Sequence, residues 1–137
     1  MLNRITSILS GVFVASLIIF AIESLSHSIY PPPPGLDMHD QVNIEQFLKN
    51  SPAASKWMII LAWFLGSLVG TFTTKKLSRQ NNIRNTLITA SILFCFTLVN
   101  LLMIYHPAWM LITGLLAIVS GATITLLLSN KTITHQK

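Results

Sequence analysis

The stretch ITSILSGVFVASLIIFAI, residues 5–22, is mostly apolar and contains no charged residue. A run of this length approaches the roughly 20 residues with which a helix crosses the hydrocarbon core of a bilayer. Three further uncharged stretches of similar length follow, at residues 57–74, 85–105 and 107–130. We therefore predict an all-α fold, an integral membrane four-helix bundle forming a single transmembrane domain over residues 1–137, with helices near 3–29, 52–74, 84–105 and 107–129.

The composition of the whole chain supports a membrane protein. Apolar residues make up 52% of the 137 residues and charged residues only 9%, with a mean hydropathy of +0.64. This leaves too few charges to cover a soluble domain of this size. A soluble bundle would need polar outer faces on its helices. A secretory signal at the N-terminus is a second alternative, but the first run exceeds the usual length and lacks a clear cleavage site.

The positions of the nine Lys and Arg residues predict the orientation. If four spans alternate, seven of the nine lie on the side of the two termini and two, Lys49 and Lys56, lie on the other. Cytoplasmic loops of membrane proteins carry the excess of basic residues, so both termini should be cytoplasmic. The basic residues are confined to loops and tails rather than interleaved with aromatics, which argues against nucleic acid as a partner.

The connection at residues 30–51 then lies outside. Pro31 to Pro34 favour an extended polyproline helix of about 3.1 Å per residue, and Gly35 allows a turn after it. Asp37 or Asp40 is placed to cap a short amphipathic helix lying at the membrane interface. Ser51 and Pro52 have the residue types of an N-cap and first helical position, so we expect the second span to begin there.

Glu23 and His27 are the candidate site residues of the first span. They lie four residues apart, on one helical face, at the outer end of the span. Ionisable groups at this depth need a local reason: a partner, water access, or a role with a proton or ion. One interpretation is structural, with the pair hydrogen-bonded to each other, to Tyr30 or to the loop. Asn100, also toward the outer side, needs a polar partner and is a candidate third member of this proton, ion or structural site.

A metal site is an alternative interpretation of the same region. Glu23, His27, His39 and His106 all fall on the outer side and have the ligand types of zinc or another divalent first-row metal. The chain contains no short diagnostic metal motif and none of the motifs of common enzymes. A haem held by His27 and His106 also stays open. Otherwise we expect no cofactor and no enzymatic activity.

Small residues repeat every four positions in two of the spans. Gly66 and Gly70 form such a pair in the second span, and Ala117 and Gly121 form one in the fourth. Small residues at this spacing let helices approach closely in a membrane. We expect contacts within the bundle, with a homo-oligomer or a membrane-protein partner as the alternative use of either pair. The lipid bilayer is the remaining expected partner.

The string ESLSHSIYPPPPGLD at residues 23–37, followed by LAWFLG at 61–66, resembles a pattern in small uncharacterised bacterial four-helix membrane proteins. The shared pattern is E-x3-H-x2-Y-P-x-P-x-G-x-D, and the resemblance as a whole, from residue 23 to residue 66, covers about a third of the chain. The resemblance implies a bacterial inner membrane and an outward-facing motif, and it implies no activity. We therefore predict an accessory or structural subunit with an outward polar Glu/His site. The alternative is a proton-coupled or divalent-metal-ion transporter or binding protein.

Overall fold

The computed structural model describes residues 2–37, 39–104 and 106–130. Its helices are α1 (Leu2–Ile29), α2 (Gln41–Asn50), α3 (Ala53–Leu77), α4 (Asn82–Met103) and α5 (Ala108–Asn130). The four long helices are each long and apolar enough to cross a membrane. The prediction of an all-α membrane bundle with a short helix in its long connection is thus confirmed, and the protein is a multi-pass membrane protein.

Helix α3 is the centre of the bundle. It packs against α1, α4 and α5, while α4 also contacts α1 and α5. We call the end that carries residues 30–37, 39–52 and 106–107 the α2 end, and the end that carries Leu2 and residues 78–81 the basic end. Large apolar side chains such as Phe13, Phe20 and Leu102 are at least 64% exposed. In a membrane these side chains face lipid, which is why so apolar a chain leaves them uncovered.

Both small-residue pairs are used inside the chain. A methyl group added to Gly70 would lie 2.6 Å from Cβ of Ala15 and 2.7 Å from the carbonyl oxygen of Gly11, both in α1. A methyl group added to Gly121 in α5 would lie 2.7 Å from the carbonyl oxygen of Phe64 in α3. These backbone approaches are the close packing that small residues permit between membrane helices.

The core changes character along the bundle axis. Toward the α2 end it is apolar, with Ile60, Trp63, Leu101 and Met110 among the buried side chains. Toward the basic end it is rich in hydroxyl groups, and the fully buried ones are Ser7, Ser67, Thr71, Thr74, Thr86, Thr89 and Thr125. Several of them join different helices. Thr71 and Thr125 join α3 to α5 over 2.9 Å, and Thr74 and Thr89 join α3 to α4 over 2.9 Å.

The helix ends explain how the α2 end is built. The side chain of Asp40 accepts a hydrogen bond of 3.1 Å from the backbone N–H of Val42, as predicted for a cap of α2. The prediction that Ser51 is the N-cap of the second span was wrong, because Ser51 instead ends α2. Its hydroxyl donates to the carbonyl oxygen of Phe47, and Pro52 occupies the N-cap position of α3. The C-terminal carbonyls of α2 take this hydroxyl because nothing continues the helix.

Lys56 fastens α2 to the bundle. Although it is a lysine, it is only 8% exposed, and its Nζ donates to the carbonyl oxygens of Ser51 at 2.9 Å and Lys49 at 3.4 Å. A cation at the C-terminus of a helix satisfies carbonyls that have no partner within the helix and complements the helix dipole. The short helix is therefore attached at its C-terminal end by an α3 side chain.

Candidate functional site

A cavity of about 230 Å³ lies between α2 and the rest of the bundle. Residues from α1, α2, α3 and α4 line it, together with the segment that joins α4 to α5. Its polar side chains with ionisable or amide groups are Glu23, His27, Tyr30, Asn100 and His106, and its apolar ones include Ile44, Phe47, Leu48, Ile59, Trp63 and Ile104. The volume is below the roughly 300–1,000 Å³ of sites for drug-sized ligands, so this cavity suits a smaller molecule.

Four of the five residues singled out from the sequence meet in this cavity. Glu23, His27, Asn100 and His106 all line it. The fifth, His39, is exposed in the loop before α2 and is not part of the lining. The cavity thus joins positions that are as far as 83 residues apart in the chain, from Glu23 to His106.

The carboxyl group of Glu23 is half-buried in the cavity wall. The indole of Trp63 is placed to donate a hydrogen bond to it, and the imidazole of His27 lies close enough to interact with it electrostatically. The two α1 side chains do not pair directly, since the salt bridge found among the described residues is Lys49–Glu45 on α2. Neither a Glu23–His27 hydrogen bond nor one from either side chain to Tyr30 occurs in that part of the chain.

Trp63 is the site residue that sequence reasoning missed. It is 4% exposed, and its ring centroid lies 6.1 Å from that of His106. Gly114 leaves room for it, because a methyl group there would overlap the indole ring. The signal was present in the sequence: the other two tryptophans lie near the ends of their helices, whereas Trp63 lies inside a span, where its N–H needs a polar partner.

His106 emerges between α4 and α5 and is partly buried. Its Nδ1 lies 2.7 Å from the carbonyl oxygen of Ile104. A carbonyl oxygen only accepts, so Nδ1 carries the hydrogen and Nε2 of the neutral ring is left as an acceptor. Burial lowers the pKa of His106 from its ordinary value, and the hydrogen bond to Ile104 opposes that shift. The neutral ring is therefore favoured.

Asn100 contributes an amide from α4. Its side chain makes no hydrogen bond within residues 2–37, 39–104 and 106–130, and it is exposed at the edge of the cavity. No neighbouring helix within these residues therefore supplies the polar partner that we predicted for Asn100. An amide carries both donors and an acceptor, so Asn100 can contact a ligand of either kind.

The acidic residues of the loop make hydrogen bonds to nearby residues of the same segment. Asp37 accepts a hydrogen bond of 2.9 Å from the backbone N–H of His39, and its carbonyl oxygen accepts one of 3.1 Å from the side chain of Asn43. Asp40 caps α2.

Across the described part of the chain, no three His, Cys, Asp or Glu side chains are grouped so that they could hold a metal ion. The set Glu23, His27, His39 and His106 is thus not assembled as a metal centre.

A second cavity, of about 460 Å³, lies on the other side of α2, between that helix and the proline segment. Tyr30, Phe47 and Ser51 line both cavities and so separate them. Helix α2 therefore lies over the Glu23 cavity as a lid, attached through Lys56 and through its loops.

Comparisons of the chain with known protein families, curated proteins and solved structures found no match.

Proposed function

We propose that this protein is a small accessory protein of the bacterial inner membrane that binds a small amphipathic cation beneath α2. The α2 end faces outward and both termini are cytoplasmic, in agreement with the excess of basic residues at the other end. The observation that carries the proposal is the half-buried Glu23 carboxyl in an otherwise largely apolar cavity, with no cationic partner within hydrogen-bonding distance among the described residues.

The chemistry of the walls defines the ligand class. A carboxylate accepts several hydrogen bonds, and here Trp63 is the donor placed to supply one. A cationic ligand would offset the cost of keeping the charge away from water. The aromatic rings of Trp63 and Tyr30 attract cations through their π faces. Ile44, Phe47 and the other apolar residues of the lining can cover a hydrocarbon or aryl group.

A pair of probes of equal shape tests the proposal. Phenyltrimethylammonium and the neutral tert-butylbenzene differ in one atom, which is a positively charged nitrogen in the first and an uncharged carbon in the second. We expect the cation to raise the unfolding temperature of the purified full chain in detergent, because a ligand that binds only the folded state stabilises it. We expect Glu23→Gln to weaken this binding by about tenfold or more, since two opposite unit charges about 5 Å apart attract by about 3 kcal/mol at an effective dielectric constant of about 20.

Glu45→Gln is the matched control, because it removes a carboxylate from α2 that does not line the cavity. It should leave the stabilisation by the cation unchanged. Equal stabilisation by both probes, or an undiminished effect in Glu23→Gln, would contradict the proposed role of the carboxyl group.

Transport coupled to protons is the second candidate, favoured by Glu23 and His27 lining one cavity. In this conformation the core beyond Trp63 is closed toward the basic end, because Ser67, Thr71 and Thr74 are fully buried. A transporter would have to open this region. Accumulation of the cation in reconstituted vesicles under an imposed proton gradient, lost in Glu23→Gln, would favour transport over binding alone. Stabilisation of the purified protein by Zn²⁺ would instead favour a metal site.

A further inference from the structure

A third cavity, also of about 460 Å³, lies at the basic end and is lined by polar side chains. Its lining comprises three arginines and three amide side chains, namely Arg4, Arg79, Arg84, Asn3, Gln80 and Asn81. The arginines come from three different segments: the start of α1, the α3–α4 connection and the first turn of α4. The fold therefore concentrates three guanidinium groups around one space.

Hydrogen bonds hold the walls of this cavity in place. The side chain of Asn3 donates to the carbonyl oxygen of Leu77 at 3.4 Å and accepts from the backbone N–H of Arg79 at 3.1 Å. Deeper in, Ser78 donates to Ser7 at 3.0 Å and accepts from the side chain of Asn85 at 3.1 Å. The connection that carries Arg79 is thus fastened to both α1 and α4, so the three arginines are brought together by the packed structure.

No carboxylate side chain is available to neutralise this cluster. The chain has four acidic residues, and all of them belong to the α2 end: Glu23, Asp37, Asp40 and Glu45. The guanidinium groups make no ion pair or hydrogen bond with other side chains of the described residues. Like charges held close together are unfavourable, so an anion from outside the chain would stabilise this arrangement.

The surroundings indicate which anion fits. Leu2 is 81% exposed, Ile5 is 49% exposed and Ile83 is 46% exposed, all beside the cavity residues in sequence. Apolar surface next to a basic cavity at the end of membrane-spanning helices suits a molecule with a charged head and hydrocarbon chains. Arginine also pairs with phosphate oxygens through two parallel hydrogen bonds. We infer that this cavity binds the phosphate group of an anionic phospholipid from the adjacent leaflet.

Two lysines of α3 at the same end, Lys75 and Lys76, provide the contrast. Lys75 donates to the carbonyl oxygen of Thr125 at 3.1 Å, and Nζ of Lys76 lies 5.3 Å from the ring centroid of Phe72. Neither lines the cavity. A general attraction of basic residues to an anionic surface would act on them as well, whereas a phosphate site would depend on the three arginines.

The test measures lipid retained by the full chain after purification from vesicles of phosphatidylcholine that contain a minor fraction of phosphatidylglycerol. Native mass spectrometry counts the bound lipids. We expect phosphatidylglycerol to be retained selectively, and Arg79→Gln or Arg84→Gln to reduce its apparent affinity about fivefold, as expected for one basic residue near an anionic headgroup. Arg84→Lys should keep part of the binding, because it retains the charge and loses the paired hydrogen bonds.

Lys76→Gln is the control, since it removes one charge from the same end outside the cavity. An equal loss of phosphatidylglycerol in Lys76→Gln would overturn the site in favour of general surface attraction. Retention that does not distinguish the two lipids would also overturn it. Displacement of phosphatidylglycerol by inorganic phosphate alone would assign the cavity to a soluble anion and not to a lipid. The three arginines are exposed, so their substitution should leave the protein folded.

Discussion

His106 links the chemistry of the cavity to pH at the scale of a single residue. Burial lowers its pKa, although its hydrogen bond to the Ile104 carbonyl raises it in part. Just below the ordinary imidazole value of about 6.5, the folded protein then binds fewer protons than the unfolded chain, so this residue makes stability fall as the pH drops through that value. We predict that His106→Gln reduces the loss of unfolding free energy on acidification, measured by chemical denaturation in detergent on either side of that pH.

The control for this prediction is His39→Gln, which removes an exposed imidazole outside the cavity. Its pH dependence should follow that of the parent protein. Glu23, His27 and Tyr30 also line this cavity, so the comparison must be made at the same pH values for all variants. An unchanged pH dependence in His106→Gln would show that the burial of His106 does not contribute to the pH dependence of the unfolding free energy.

Gly11 is a residue at which α1 and α3 pack closely. A methyl group there would overlap the hydroxyl of Thr74 and lie 2.6 Å from the carbonyl oxygen of Gly70. Backbone atoms cannot move aside cheaply, so we predict that Gly11→Ala destabilises the bundle by about 1–3 kcal/mol, as overpacking commonly does. Thermal unfolding in detergent measures the effect. Ala21→Val adds bulk to an exposed position of the same helix and should change little; an equal effect of both would argue against close packing at Gly11.

At the scale of the element, α2 depends on its cap because it is only 10 residues long. Asp40→Ala removes the hydrogen bond to Val42, and loss of such a cap costs about 1 kcal/mol. We predict faster hydrogen exchange at the amides of the first turn of α2, and weaker binding of phenyltrimethylammonium because the lid is less well formed. Glu45→Gln, which weakens the exposed pair with Lys49, should accelerate exchange less, since such pairs contribute about 0.3–0.5 kcal/mol.

The contact between α3 and α5 relies on hydroxyl groups in its buried part. Thr71 donates to Thr125 at 2.9 Å, and Thr125 donates to the carbonyl oxygen of Leu68 at 3.1 Å. We predict that Thr71→Val and Thr125→Val each destabilise the bundle, with a coupling energy of about 0.6–1.7 kcal/mol in a double-mutant cycle. Thr123→Val is the matched control, because this exposed threonine donates to Val119 of its own helix. Additive effects of the two core substitutions would exclude an interaction between them.

At the scale of the whole molecule, the orientation can be tested by labelling. In a Cys95→Ser background, we predict that a cysteine replacing Gln46 in α2 reacts with a membrane-impermeant maleimide added to intact cells. A cysteine replacing Gln80 should react only after the membrane is opened. Both positions are exposed, so a difference between them reports sidedness and not burial. Labelling of position 80 from outside intact cells would reverse the proposed topology.

The two ends of the molecule show how far sequence reasoning extends. The span positions follow from local composition, because a run of about 20 apolar residues has no stable place outside a membrane. The Asp40 cap also follows from local residue types. The role of Ser51 did not, since a serine before a proline can end one helix or begin the next, and the choice depends on how the two helices meet. Trp63 was missed because its importance lies in a contact with α1.

The sequence by itself determined that the chain is a four-span membrane protein, that its acidic residues gather at one end and most of its basic ones at the other, and that Glu23 and His27 share a helical face. Each of these depends on neighbours along the chain. Only the tertiary structure decided that Glu23, His27, Asn100 and His106 line one cavity with Trp63, and that His39 does not. The physical reason is that the rotation of each helix is set by packing between distant segments, as where Gly11 of α1 meets Gly70 of α3, and a local pattern does not reveal which helix a small residue will meet.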